Sequence, residues 1–349
     1  MSIERKFFGK IDYLSLDNTK SLKGVLAICV FLSHFWGVLA ASNLDTQGVF
    51  WQTFGRVCTL LGYLSVALFF FLSGYGLMTQ YQKRGNNYLK GFLLTRVLPL
   101  YLVYIVFVFF YWGANTLLGQ TVSTKQLLQS FLFGETIISK RWYFQAILVW
   151  YVLFYFSFRF VKKDNVKIML LIVSFVFYLA LCLVMKLPST WYEGCFCIII
   201  GVLWAKFKDK IDNFLSMKKY LLFLFFTLIA FLITLIFGNF SILQNAIGII
   251  SKCISACTFV VLVVLIMKLL PINNLLTRFL GNLYLEIYLL HGFFLSLYFS
   301  KFIEINNPWL YGVLVLVSTL ILAFLIHPGV KIILGLGNKI KVKKYGKEN

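Results

Sequence analysis

The sequence predicts an all-α fold: a polytopic membrane helix bundle of about ten transmembrane helices, with both termini in the cytoplasm. Three observations carry that expectation. Apolar residues make up 60% of the 349 residues and charged residues 13%, against roughly 45–50% and 25% in soluble domains. The apolar residues are gathered into runs of about 20, enough to cross a hydrocarbon core as a helix. Lys and Arg alternate in number from one connecting stretch to the next, as orientation in a bilayer requires. The same composition excludes disorder, a coiled coil and a disulfide-stapled secreted module. The runs are too long, and too little alternating, for barrel strands.

In chain order the expected spans are 21–41, 57–79, 92–112, 143–160, 167–185, 191–207, 220–237, 246–267, 280–299 and 309–330. The first ends in Val38-Leu39-Ala40, a cleavage-like tripeptide. A long preceding segment carrying Glu4, Asp12 and Asp17 argues for a retained helix instead of a signal peptide. The third span opens near Arg96, and the loop from about Gly113 to Trp142, the longest between spans, is expected on the outer face. The sixth span is short, the eighth carries Lys252, the ninth carries Glu286 and His291, and the tenth ends at His327. Residues 331–349 form a basic tail suited to anionic headgroups on the cytoplasmic side. Residues 1–349 are read as one integral membrane domain, without internal repeats.

Outside the span interiors, alternate segments beginning with the first hold 24 Lys and Arg, and the intervening set holds 6. That asymmetry sets the orientation, and it accounts for the net charge of +21 without nucleic acid as a partner. The seven cysteines lie in or beside apolar runs and form no C-x-x-C pair, so they read as small apolar residues and not as metal ligands.

Ionisable groups within a bilayer are costly and mark function by default. His34, Glu286 and His291 lie deepest; Lys23, Arg96, Glu193, Lys252 and His327 lie near span ends. Lys23 and His34 are eleven residues apart in one helix, close to three full turns, which puts them on one face about 16 Å apart. A cation at the cytosolic mouth aligned with a base at depth suits a ligand with a phosphate head and a reactive tail. The plainer alternatives are a snorkelling lysine and a histidine bonded to a neighbouring helix. Glu286 and His291 are offset by about 140° on their helix and are not a dyad, though either could meet His34. Lys252 and His327 read as interfacial.

Lys-x10-His in the first span resembles the signature of the acyltransferase 3 family of membrane acyltransferases. Three further segments follow in the family's order. They are Phe70, Phe71, Ser73 and Gly74 in the second span; Arg96, Pro99 and Tyr101 in the third; and Ile287, Tyr288, Leu289 and His291 in the ninth. The Gly-containing WYEGCFCIIIGVLWAK is a fainter echo. The family often has an acidic residue where Ala67 stands, and a second arginine where Leu93 stands. The resemblance spans essentially the whole chain.

It implies transfer of an acyl group, commonly acetyl, from cytosolic acyl-coenzyme A to a hydroxyl of a polysaccharide or lipid-linked glycan at the outer face of a bacterial plasma membrane. His34 is the expected general base, because a sugar hydroxyl is a weak nucleophile and imidazole titrates near neutrality. A thioester is already activated, so neither a metal nor a bound cofactor is expected beyond the acetyl-coenzyme A substrate. Lys23 and Arg96 are candidates for the donor's phosphates, and Ser73 and Gly74 for the developing oxyanion, although Ser-Gly also suits close helix packing. Glu286, Tyr288 and His291 are candidate supports of the site. Arg141 and Trp142 are candidates for holding a sugar, or members of an interfacial aromatic belt. Two other readings stay open: a transporter or flippase of a lipid-linked sugar, against which the lack of a repeat argues, and a non-catalytic scaffold.

Overall fold

Backbone groups in lipid have no water to bond with, so each apolar run must satisfy its own amides by becoming a helix. The computed structural model shows that outcome. It describes residues 12–42, 46, 48–132, 137–138, 142–215, 217–239, 246–297 and 305–345, and among these there is no strand. The helices are α1 (Leu16–Ala40), α2 (Val49–Arg84), α3 (Asn86–Leu89), a π-helical turn (Leu93–Val97), α4 (Leu98–Leu117), α5 (Thr124–Phe131), α6 (Trp142–Arg159) and α7 (Asp164–Val184). They continue with α8 (Thr190–Glu193), α9 (Cys197–Phe214), α10 (Met217–Asn239), α11 (Ala246–Leu269), α12 (Leu275–Asn282), α13 (Tyr284–Ser296) and α14 (Pro308–Tyr345).

Eight of the expected spans fall on helices long and apolar enough to cross a membrane. The other two fall on α6 and α13. α6 has 18 residues and is diluted by Gln145, Arg159 and aromatic rings with polar edges; α13 has 13 residues. The expected basic tail continues α14 as helix to Tyr345.

The chain divides into two compact units. The first comprises Met1–Val30, Leu60–Gly85 and Ile168–Asn282. Its helices approach closely through small residues, the usual device where lipid offers no hydrophobic drive to associate. A Cβ on Gly74 would overlap the Ile198 carbonyl, and one on Gly201 would overlap that of Phe71, so α2 and α9 meet backbone to backbone. Gly24 packs on Gly281 in the same way. Several charges in this unit are paired: Lys252 Nζ lies 3.2 Å from the Glu193 carboxylate, and Asp212 takes Lys268 at 2.5 Å and Lys208 at 2.9 Å. Tyr13 donates to Asp212 at 3.0 Å. Burial, and then the Asp212 charge, push its phenol above the ordinary value. Lys252, expected at the interface, is thus one half of an ion pair whose acid is buried.

The second unit comprises Phe31–Thr59, Asn86–Lys167 and Leu283–Asn349. Here the structure corrects the expected outer loop. Phe92 packs on Phe154 (6.0 Å between centroids) and Tyr104 on Phe144 (5.3 Å). α6 therefore runs antiparallel to the third span and begins beside its middle. α5 is started by a capping box of Ser123 and Gln126. It turns back, so that the Tyr101 hydroxyl donates to the Phe131 carbonyl at 2.5 Å and Phe131 packs on Phe109 at 5.4 Å. The stretch after Gly113 thus re-enters the span region instead of lying wholly outside it. Irregular backbone at such depth persists only where protein or a polar cavity satisfies it.

Candidate functional site

The second unit brings together two histidines 257 positions apart. Phe31, Phe35 and Leu39 lie on one face of α1 and pack on Leu295 of α13 and on Tyr311 and Val315 of α14. Gly312 leaves the room that Phe35 occupies, and the Tyr311 hydroxyl donates to the Leu295 carbonyl at 2.7 Å. This packing presses the half-buried His34 of α1 against the buried His291 of α13. Nδ1 of His34 lies 2.6 Å from Nε2 of His291. The ring centroids are 4.9 Å apart and the planes 5° apart. That separation equals the nitrogen contact plus both ring radii, so the imidazoles lie edge to edge in one plane, aligned for a linear hydrogen bond.

The backbone assigns the protons. Nδ1 of His291 is 2.8 Å from the Ile287 carbonyl, which can only accept, so Nδ1 carries the hydrogen. In the neutral pair Nε2 of His291 then has the lone pair and accepts from Nδ1–H of His34. The lone pair of His34 is thereby placed on its Nε2. One imidazole orients the other, as a carboxylate does in hydrolase triads, without adding a negative charge to an apolar interior. Phe31 stands edge-on to His291 at 6.5 Å, and Tyr288 lies 5.9 Å away. The Tyr111 hydroxyl ties α4 to α13 through the Leu289 carbonyl at 3.0 Å.

Glu286, on another face of α13, does not reach this pair. Its Oε1 meets Nδ1 of His327 at 2.6 Å. Glu286 is buried, and Nε2 of His327 is buried without a hydrogen-bond partner among the described residues. His327, expected at the interface, is therefore held inside the unit by a carboxylate.

The other candidates are dispersed. Arg96 sits on the π-helical turn, where the Leu98 N–H reaches back to the Leu93 carbonyl. Pro99 has no N–H for the Thr95 carbonyl, which favours such a turn. Gly337 of α14 nests against it. The guanidinium is exposed and lies 5.7 Å from the Tyr88 ring centroid. Trp142 is half-buried at the start of α6, edge-on to Tyr143 at 6.2 Å. Arg141 lies outside the described residues. Lys23, Ser73 and Gly74 belong to the first unit; Lys23 and Ser73 are half-buried, and Gly74 is committed to the α2–α9 seam.

Residue spacing did not disclose the partners of Glu286, Lys252 and His327, because each partner comes from a distant helix. An ionisable group at depth was the available signal, and it pointed to a partner without naming one. Gln145 of α6, buried and without a hydrogen-bond partner among the described residues, carried no such signal because it is uncharged.

Residues 16–327 match the family model described as Acyltransferase domain. No curated protein and no solved structure gives a significant match. That match covers nearly the whole helical bundle and both members of the histidine pair, and it establishes this chain as a member of the acyltransferase 3 family of integral membrane acyltransferases.

Proposed function

We propose that this protein is a membrane O-acetyltransferase: it moves an acetyl group from cytosolic acetyl-coenzyme A to a hydroxyl of a cell-surface or lipid-linked polysaccharide, with His34 as general base. The observation that carries the reading is the His34–His291 hydrogen bond at 2.6 Å, with the His291 proton committed to the Ile287 carbonyl. That arrangement puts a basic nitrogen on His34 Nε2 in a largely apolar setting.

In the reaction, Nε2 takes the proton of the acceptor hydroxyl as its oxygen attacks the thioester carbonyl. The tetrahedral adduct collapses, the carbon–sulfur bond breaks, and the proton on Nε2 passes to the leaving thiolate. Throughout, Nδ1–H of His34 stays on His291, which spreads the charge of the transient imidazolium. Arg96, in the same unit as the histidine pair, is assigned to the donor's phosphates. The alternation of basic segments supports a donor side that faces the cytosol, in keeping with a plasma membrane location.

Membranes containing the full chain, supplied with radiolabelled acetyl-coenzyme A, should pass label to polysaccharide. His34→Ala should lower transfer by about 10²–10⁴-fold. Equal labelling by wild type and variant would remove His34 from the mechanism, and translocation of a lipid-linked sugar without acyl transfer would replace the enzyme by a carrier.

A further inference from the structure

Gln145 is 2% exposed, and among the described residues neither its amide oxygen nor its amide nitrogen has a hydrogen-bond partner. A primary amide offers two donors and an acceptor, and leaving them unmet in a dry interior is costly. Such a group is explained by a ligand that supplies what the fold withholds.

The amide lines a crevice with Tyr101, Tyr104, Phe131, Leu132 and Leu148. Tyr101 and Tyr104 stand 6.5 Å apart with planes 26° apart. The hydroxyl proton of Tyr101 is already given to the Phe131 carbonyl. The crevice is therefore aromatic on its walls, with one unsatisfied donor–acceptor pair. It is too narrow to hold water as it stands, so a larger ring enters only as its walls part. It lies where α5 turns back and α6 begins, beside the middle of the third span. The helix that carries Gln145 also reaches the surroundings of the histidine pair from its other side: Tyr143, two positions before Gln145, packs edge-on to Tyr288 at 5.5 Å, and Tyr288 lies 5.9 Å from His291.

We propose that this crevice is a subsite for the sugar acceptor, in which two adjacent hydroxyls of a pyranose pair with the Gln145 amide and the apolar face of the ring lies on Tyr104. The proposal rests on the reading that the acceptor is a glycan. One hydroxyl donates to Oε1 and its neighbour accepts from Nε2, which matches the amide's paired functions, while C–H groups of the ring suit the aromatic wall. The amides of the donor's pantetheine arm could also pair with Gln145. Position favours the sugar: Gln145 stands at the end of α6 remote from Arg159, Lys162 and Lys163, the basic cluster that marks the donor side.

The test is direct binding to the full-length protein purified in detergent, read by saturation-transfer NMR. The probes are methyl α-D-glucopyranoside, methyl α-D-mannopyranoside, methyl β-D-galactopyranoside and pantetheine. At least one pyranoside should bind wild type, and Gln145→Met should weaken it about tenfold or more. The same variant should melt no lower than wild type, since Met keeps the side-chain length and removes the orphaned amide. Leu132→Trp, at an exposed position on the crevice mouth, should reproduce the loss with Gln145 intact. Equal pyranoside binding by wild type and both variants overturns the proposal. So does an absence of binding by wild type, or pantetheine as the probe whose binding Gln145→Met abolishes. Pyranoside binding through Gln145 in a protein that transfers no acyl group would refute the proposed reaction and leave the subsite standing.

Discussion

An imidazole buried among Phe rings could hold its proton on either nitrogen, and only one tautomer serves as a base at a given point in space. In this protein the choice descends from a backbone carbonyl: Ile287 fixes His291, and His291 fixes His34. Two substitutions at position 291 should therefore differ. In His291→Gln an amide oxygen can still accept from Nδ1–H of His34, so turnover should stay near wild type. In His291→Phe nothing accepts, the tautomer is released, and kcat should fall on the order of 10²–10⁴-fold, as when a triad's orienting group fails. Steady-state kinetics with both variants decides the matter; equal kcat values would show that His291 does not orient the base. Glu286 illustrates the opposite case, since its carboxylate is spent on His327 and its nearness in sequence to His291 has no bearing on the pair.

The helices position these side chains through two local devices. The first is the π-helical turn before Pro99, which rotates Arg96 relative to the register of a regular helix. Pro99→Ala restores the missing N–H and should let the turn relax to α-helix. If Arg96 binds donor phosphates, the Michaelis constant for acetyl-coenzyme A should rise several-fold with little change in kcat, and an unchanged constant would detach the turn from donor binding. The second device is the glycine seam between α2 and α9. A side chain on Gly201 would collide with the Phe71 backbone, which cannot swing aside as a flexible side chain can. Gly201→Leu should therefore destabilise the protein by about 2 kcal/mol or more, visible as a lower melting temperature in detergent. Unaltered melting would mean that the two helices are not in backbone contact.

For the whole chain, orientation follows from the uneven placement of 33 basic residues, with the richer segments retained on the cytoplasmic side. A reporter enzyme fused after Tyr345 should be active only in the cytoplasm. A cysteine introduced at Leu117, which is 89% exposed at the end of α4, should react with an impermeant thiol reagent added from outside. The reverse labelling pattern would invert the protein and put the donor site on the wrong side for a cytosolic thioester.

Composition and periodicity were enough for the class of fold and for most of the spans, because a bilayer forces each apolar run to satisfy its own amides; four short segments in order pointed to the family. That requirement is local and can be read along the chain. His34 and His291 were both legible as costly groups at depth, but whether Glu286 or His291 meets His34 was not, since 257 residues separate the two histidines and the contact depends on how Phe31, Phe35 and Tyr311 pack. The re-entry of α5 and the start of α6 beside the middle of the third span were hidden for the same reason: hydropathy registers how apolar a run is, and not where along its neighbour it starts. Which nitrogen is basic, which carboxylate finds which histidine and which amide goes unmet depend on atoms from distant segments meeting within a few ångströms, and packing alone brings them there.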